Sequence, residues 1–208
     1  GKRLATWAHA EQAAHLDVAT LTTVAEAVAD GFSLTGRKLA VVAGELAQVA
    51  VVTALLDGQP NAFVVSLDAP GVSRTGLSTA LGLRSVGVAQ LDFASVQVAA
   101  EAKVKASVAS LVDLARLGTA AVATGAAREA LRVACRYARE REQFGKPIAT
   151  LQPIQWQVAN SAMELDAARV LVQRAATLLA GGKSATRAGA MRSEEHTSEL
   201  QSHHDLVC

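Results

Sequence analysis

Aromatic residues are scarce in this chain of 208 residues, with two tryptophans, one tyrosine and four phenylalanines making up 3% of it. So few rings leave no stacking platforms interleaved with basic side chains, which excludes the usual way of holding a single strand of nucleic acid. Charge of one sign is scarce as well, the formal balance being +1, too little to attract a polyanion. Cysteine is nearly absent, only Cys135 and Cys208 being present, so a disulfide framework is excluded and a reducing compartment is compatible. No apolar run is expected to reach the length of a membrane span, and no signal-peptide pattern opens the sequence, which makes the cytoplasm the default location. What the chain does have is 50% hydrophobic residues, enough to build a core in one or two domains.

The last residues stand apart from the rest. Arg192-Ser-Glu-Glu-His-Thr-Ser-Glu-Leu-Gln-Ser-His203 reads as the conceptual translation of a widely used DNA sequencing adapter, so residues 192–208 are expected to be a non-native tail. Within it, His196, His203, His204 and Cys208 would otherwise suggest a metal cluster; with the tail set aside, no metal site is expected. Without the tail the formal charge moves from +1 to +4, still a weak argument for nucleic acid.

Residues 1 to about 100 read as an all-β module. Asp30-Gly31, Thr35-Gly36, Asp57-Gly58 and Pro70-Gly71 punctuate strand-like runs at Leu39–Val42, Val49–Thr53 and Ala62–Leu67, and Gly82–Val88 and Val96–Val98 continue the pattern. His9 and His15 are expected to be surface residues, since neither has a carboxylate partner or nucleophile visible beside it.

From about residue 101 onward the pattern is helical. Leu111, Leu114, Leu117, Ala121 and Leu131 recur at helical spacing, and Gly145 followed by Pro147 predicts the stop. Thr150 is the expected N-cap of a second helix, with Pro153 in its first turn. Leu151, Val158, Leu165, Val172 and Leu179 then form a heptad, with Ile154, Ala168 and Ala175 adjoining, and Gly181-Gly182 ends it. Such a stripe predicts core or a bundle seam, and Trp156 lies off it. On the first helix, Gly118, Ala121 and Gly125 would let another helix approach closely. Arg128, Arg132 and Arg136 fall four apart there, as a solvated face or one that pairs with another subunit.

At the corner between the helices, Arg139, Arg141, Gln143 and Gln152 are expected to converge. The rigid fork of an arginine suits the oxygens of an anionic diphosphate. Arginines at a helix end also complement the negative end of its dipole and need no ligand. The residue types alone leave both readings open.

The string Arg141-x-Gln143-Phe144-Gly145-Lys146-Pro147-Ile148, with Gln152 and a long alanine-rich helix after it, resembles the carboxy-terminal helical domain of acyl-CoA dehydrogenases. The earlier half resembles the middle β-domain of the same family: Asp30-Gly-Phe-Ser-Leu-Thr-Gly36-Arg-Lys38, then Phe63-Val-Val-Ser-Leu-Asp-Ala-Pro70-Gly71-Val72, then Leu81-Gly-Leu-Arg84 and Leu91-Asp-Phe93 with Val96. The resemblance implies an α+β multi-domain protein: a β-barrel-like or sandwich middle domain over 1–100, incomplete, and part of an antiparallel four-helix bundle over 101–191, truncated. It implies FAD as cofactor, with Arg141, Gln143 and Gln152 contacting the FAD of a neighbouring subunit and Phe144 packing nearby. Asp113 and Arg116 stand where the family has residues near the acyl-CoA. An electron-transferring flavoprotein would accept the electrons, and a homo- or hetero-oligomer, dimer or tetramer, is expected.

The chain also departs from the family. The Trp-Ile-Thr strand that usually lies against the flavin is Ala40, Val41 and Val42 here, and the Thr-Glu-Pro-Gly-x-Gly-Ser-Asp loop appears as Ala10-Glu11-Gln-Ala-Ala-His15-Leu16-Asp17. Ala115 stands where some members carry a catalytic glutamate on the first helix, and the usual glutamate is expected beyond Met191. No catalytic residue is therefore assigned, and the isolated polypeptide is expected to be inactive. Two other readings remain: a non-catalytic partner subunit that shares a neighbour's FAD, or a non-enzymatic helical assembly module.

Overall fold

The computed structural model describes residues 3–11, 18–77 and 85–183. It forms two compact units that divide at Leu111 and Val112.

The first unit is one curled, mixed sheet. Its strands are β1 (Ala5–Ala8), β2 (Val24–Val28), β3 (Gly31–Val42), β4 (Val49–Leu56), β5 (Gln59–Ser66), β6 (Val72–Gly76) and β7 (Val88–Ala99). β4 is central: β5 pairs with it antiparallel on one side, β1 and β2 pair with it in parallel on the other, and the sheet continues through β3 and β7 to β6. Position and composition agree along these strands. In β7, Ala89, Leu91 and Phe93 turn inward while Gln90 and Asp92 alternate with them, the period-2 pattern of a sheet with one wet face. β4 is apolar in nearly every position, and Ala50, Val52 and Ala54 are buried, as expected for a strand flanked on both sides. Leu34, Val52, Phe63, Val65, Leu91 and Val96 close the core, each contributing about 1.5–3 kcal/mol on burial.

Several sequence expectations are altered here. Leu39–Val42 is not a separate strand but the end of the long β3, and Thr35-Gly36 is no turn. The register between β3 and β7 shifts between Leu34 and Gly36, so Gly36 sits in a β-bulge, where an added Cβ would lie 2.5 Å from Thr23 Oγ1. Asp57-Gly58 does turn the chain, with φ of 51° and 72°, the left-handed pair of a two-residue hairpin between β4 and β5. Val96–Val98 belongs to β7. Of Gly82–Val88, residues 82–84 lie outside the described residues, 85 and 86 form a turn and Val88 opens β7.

The second unit is built on two long helices, α1 (Val108–Glu140) and α2 (Gln152–Ala180), joined by a two-stranded hairpin, β8 (Glu142–Gln143) with β9 (Lys146–Pro147), and a 3-10 turn at Ile148–Thr150. Ser107 caps α1: its Oγ accepts from the Ser110 N–H at 3.2 Å. The helix does not run to Gly145 but stops at Glu140. Phe144 and Gly145 then take φ of 54° and 72°, so the glycine serves a hairpin turn instead of a helix end. Thr150 does not cap α2 either; its hydroxyl donates to the Pro147 carbonyl at 2.7 Å, and Leu151 takes the cap position without a side-chain bond. Pro153 lies in the first turn of α2, and Gly182, at φ 68°, follows its end.

The heptad of α2 is its sheltered side. Leu151, Val158, Leu165, Val172 and Leu179 are half-buried, and Ala168 and Ala175 are buried. Along α1, Gly118, Ala121 and Gly125 are exposed, with open space where a glycine Cβ would stand. Contrary to the sequence expectation, α1 is long and apolar enough by length and composition to cross a membrane, with a mean hydropathy of 1.2 over its best window. Alanine and valine supply that apolarity without a long run of large side chains, which is why it does not stand out in the sequence.

Candidate functional site

Inside the first unit a chain of polar side chains is buried where β1, β3 and β4 meet. Lys38 is completely buried on β3. Its ammonium donates to Glu11 Oε1 at 2.5 Å, to the His9 carbonyl at 3.2 Å and to Thr53 Oγ1 at 3.2 Å, so all three of its protons have acceptors. The Glu11 carboxylate also accepts from the Thr23 N–H at 3.0 Å, from the Thr22 hydroxyl at 2.5 Å and from the Thr22 N–H. Burial pushes the Glu11 carboxyl up, but the bonds from Lys38, Thr22 and Thr23 outweigh it and hold it down at about 2. Burial pulls the Lys38 ammonium down to about 8, against the opposing pull of Glu11. His9 is buried rather than at the surface, its Nδ1 2.9 Å from Thr53 Oγ1 and its ring stacked on Trp7 at 4.9 Å. His15 lies outside the described residues.

This cluster is a clamp and not an acid–base pair. Every charge in it is compensated, and its bonds tie the chain after β1 to residues 22–23 and to β3. The pairing of Glu11 with Lys38 is not announced in the sequence, because they lie in separate stretches that only the fold brings together.

In the second unit the two readings of a helix-terminal cation fall on different residues. Arg139 turns back on its own helix, its Nε donating to the Cys135 carbonyl at 3.2 Å, and so serves the negative end of α1. Arg141 lies one residue past the helix. Its backbone is fixed, with its N–H donating to Tyr137 O and its carbonyl accepting from the Ile148 N–H, both at 2.8 Å. Its guanidinium engages nothing among the described residues, and neither do the side chains of Gln143 and Gln152. Gln143 pairs through its backbone with Lys146 in the hairpin, Gln152 opens α2, and Phe144 at the hairpin tip is 89% exposed. All four expected cofactor residues thus belong to one connection and face solvent. The Phe144 backbone is held at positive φ, a strained conformation for a non-glycine residue.

Asp113 and Arg116 form an ion pair within α1 at 3.7 Å, with Asp113 buried and Arg116 partly so. Of the arginine row, Arg132 makes a two-bond ion pair with Glu129 at 2.5 and 2.8 Å, in keeping with a solvated face. Val42 on β3 is 49% exposed and, like Ala40, carries no side-chain donor.

The acyl-CoA dehydrogenase middle-domain family matches residues 6–96, and the acyl-CoA dehydrogenase C-terminal-domain family matches residues 105–193. The chain belongs to the acyl-CoA dehydrogenase family. It is 33% identical over 202 residues to the caffeyl-CoA reductase-Etf complex subunit CarC of Acetobacterium woodii, which covers 92% of this chain and 53% of that protein. It is 30% identical to the mitochondrial short-chain specific acyl-CoA dehydrogenase of Rattus norvegicus, with 92% and 49% covered. Among solved structures, butyryl-CoA dehydrogenase from Megasphaera elsdenii superposes with a TM-score of 0.80 at 30% identity, covering 91% of this chain and 52% of that one. A glutaryl-CoA dehydrogenase from Mycobacterium smegmatis in complex with FADH2 superposes with a TM-score of 0.76 at 26% identity, covering 90% and 53%. The chain spans about half the length of these relatives. The donors at the corner are of a kind that suits a flavin dinucleotide: a guanidinium and two carboxamides, none of them engaged among the described residues, can meet a diphosphate without breaking a bond made there.

Proposed function

We propose that this chain is part of a flavoprotein that removes two hydrogens from the α and β carbons of an acyl-CoA thioester, and that its corner residues hold the FAD of a neighbouring subunit. Arg141 binds the diphosphate as a two-pronged cation, Gln143 and Gln152 donate beside it, and Phe144 covers the dinucleotide. Bound FAD would supply the redox chemistry as hydride acceptor. Asp113 and Arg116 are assigned to the acyl-CoA side, Asp113 holding the Arg116 guanidinium in place for the substrate. No residue of this chain is assigned as the proton-abstracting base. An electron-transferring flavoprotein is the expected electron acceptor, in line with the name of the Acetobacterium relative, and the cytoplasm is the expected location.

The observation that carries this reading is the division of labour between Arg139 and Arg141. One arginine already answers the helix dipole, and the other carries a charge that no described residue uses. Titrating FAD into the protein and following flavin fluorescence tests it. Arg141→Ala should weaken binding about tenfold to a hundredfold, the scale of one lost charge-assisted pair, while Arg139→Ala leaves it nearly unchanged. Equal affinities for all three proteins would reject the assignment.

One observation favours a second reading, that of a partner subunit that binds a neighbour's FAD and none of its own. Ala40 and Val42 give the expected flavin face of β3 no side-chain donor. A flavin content of one per two chains in a mixed oligomer would favour it, and one per chain would exclude it.

A further inference from the structure

The buried cluster of the sheet unit holds a titratable ring that its ion pair does not need. His9, directly after β1, is 3% exposed and stacks on Trp7. Its Nδ1 and the Lys38 ammonium meet the same atom, Thr53 Oγ1 on β4, at 2.9 and 3.2 Å. An ammonium can only donate, so the Thr53 oxygen accepts from Lys38 and has one proton of its own to give. The Ala8 carbonyl stands 3.5 Å from that oxygen, whereas Nδ1 is close. An O–H···O bond usually spans only about 2.5–3.0 Å. The hydroxyl therefore donates to Nδ1, and the ring is neutral with its own proton on Nε2.

We propose that this ring is an acid-sensitive latch of the sheet unit, holding the chain after β1 against β3 and β4 while neutral and releasing it when protonated. A proton on Nδ1 reverses the bond to Thr53. The hydroxyl must then accept from two cations and turn its own proton to the distant Ala8 carbonyl. Two positive nitrogens bonded to one oxygen stand no more than about 6 Å apart, a separation at which like charges oppose ionisation, and burial opposes it further. Among the described residues the charged side chains of the cluster are Lys38 and Glu11, and the Glu11 carboxylate is taken up by Lys38, Thr22 and Thr23. Folding thus opposes a proton that an unfolded histidine takes near pH ~6.5. The unfolded chain binds more protons below that value, so stability falls as pH drops through it. Beside the latch the Leu39 N–H donates to the Ala10 carbonyl at 2.7 Å, which gives its opening a local reporter.

Denaturant unfolding and amide hydrogen exchange of the full chain, followed from about pH 7.5 to about pH 5.5, test this. Glu11 contributes below its ordinary 4.5 and Lys38 above about 8, so neither acts in that range. In wild type the unfolding equilibrium constant of the sheet unit should rise by up to about tenfold per pH unit, and protection of the Leu39 amide should fall in step. His9→Gln, whose carboxamide can accept from Thr53 without ever ionising, should flatten both profiles. Parallel profiles for the two proteins would overturn the proposal. Ring NMR shifts of His9 in wild type decide the matter even where the variant does not fold. A ring still neutral at about pH 5.5 is the expected result, and a ring that titrates near ~6.5 would overturn the latch.

Discussion

Lys38 has no water to fall back on. Its ammonium is served entirely by Glu11, Thr53 and the His9 carbonyl, so removing one partner strands a buried charge. Lys38→Met should cost about 3–5 kcal/mol, and a Glu11→Leu/Lys38→Met double variant should cost less than the single one, because the stranded carboxylate is gone too. Protonation gives the same pair a pH signature. Glu11 is depressed to about 2 in the folded chain from 4.5, so the folded state binds fewer protons in that window. Its stabilisation is complete above the unfolded value and is lost as pH falls through about 2. Lys38, lowered from 10.5 to about 8, gives a rise in stability between those two values, since the unfolded chain then holds the extra proton. Thermal unfolding followed from pH 2 to 7 should fall less steeply toward acid in Glu11→Gln than in wild type; parallel curves would show that the clamp does not shape stability.

The elements differ in how far the sequence alone revealed them. The Asp57-Gly58 turn is a local signal and sits where its residues predict, whereas β7 runs through the interval between the two short runs expected there. The bulge at Gly36 depends on the pairing of β3 with β7, and the clamp at Lys38 on Glu11, 27 residues away; neither was legible, because each arises only when distant stretches of the chain are brought together. The corner was legible as a motif but misread as geometry: a glycine followed by proline signals a helix end, yet α1 stops earlier and the glycine completes a hairpin. That hairpin makes its own prediction. A two-residue turn of this kind favours Asn-Gly, so Phe144→Asn should relieve the left-handed cost of about 1 kcal/mol and leave the protein equally or more stable. If Phe144 covers the dinucleotide, the same variant should bind FAD more weakly. A variant that is both less stable and unchanged in FAD affinity would mean the ring serves the fold and not the cofactor.

At the scale of the whole molecule, the chain carries one sheet unit and one helical unit of an acyl-CoA dehydrogenase and spans about half the length of its relatives. Membership in the family was readable from the string around Arg141 and the dispersed β-domain matches; the direction in which each corner side chain is spent was not, since Arg139 and Arg141 look alike in sequence. The central claim is that Arg141 serves a dinucleotide bound by the chain next to it. A structure of the flavin-loaded assembly measures this directly. The account predicts the Arg141 guanidinium within hydrogen-bonding distance of the diphosphate of an FAD whose isoalloxazine lies on another subunit; a guanidinium in bulk water, or one bound to the FAD of its own chain, would contradict it.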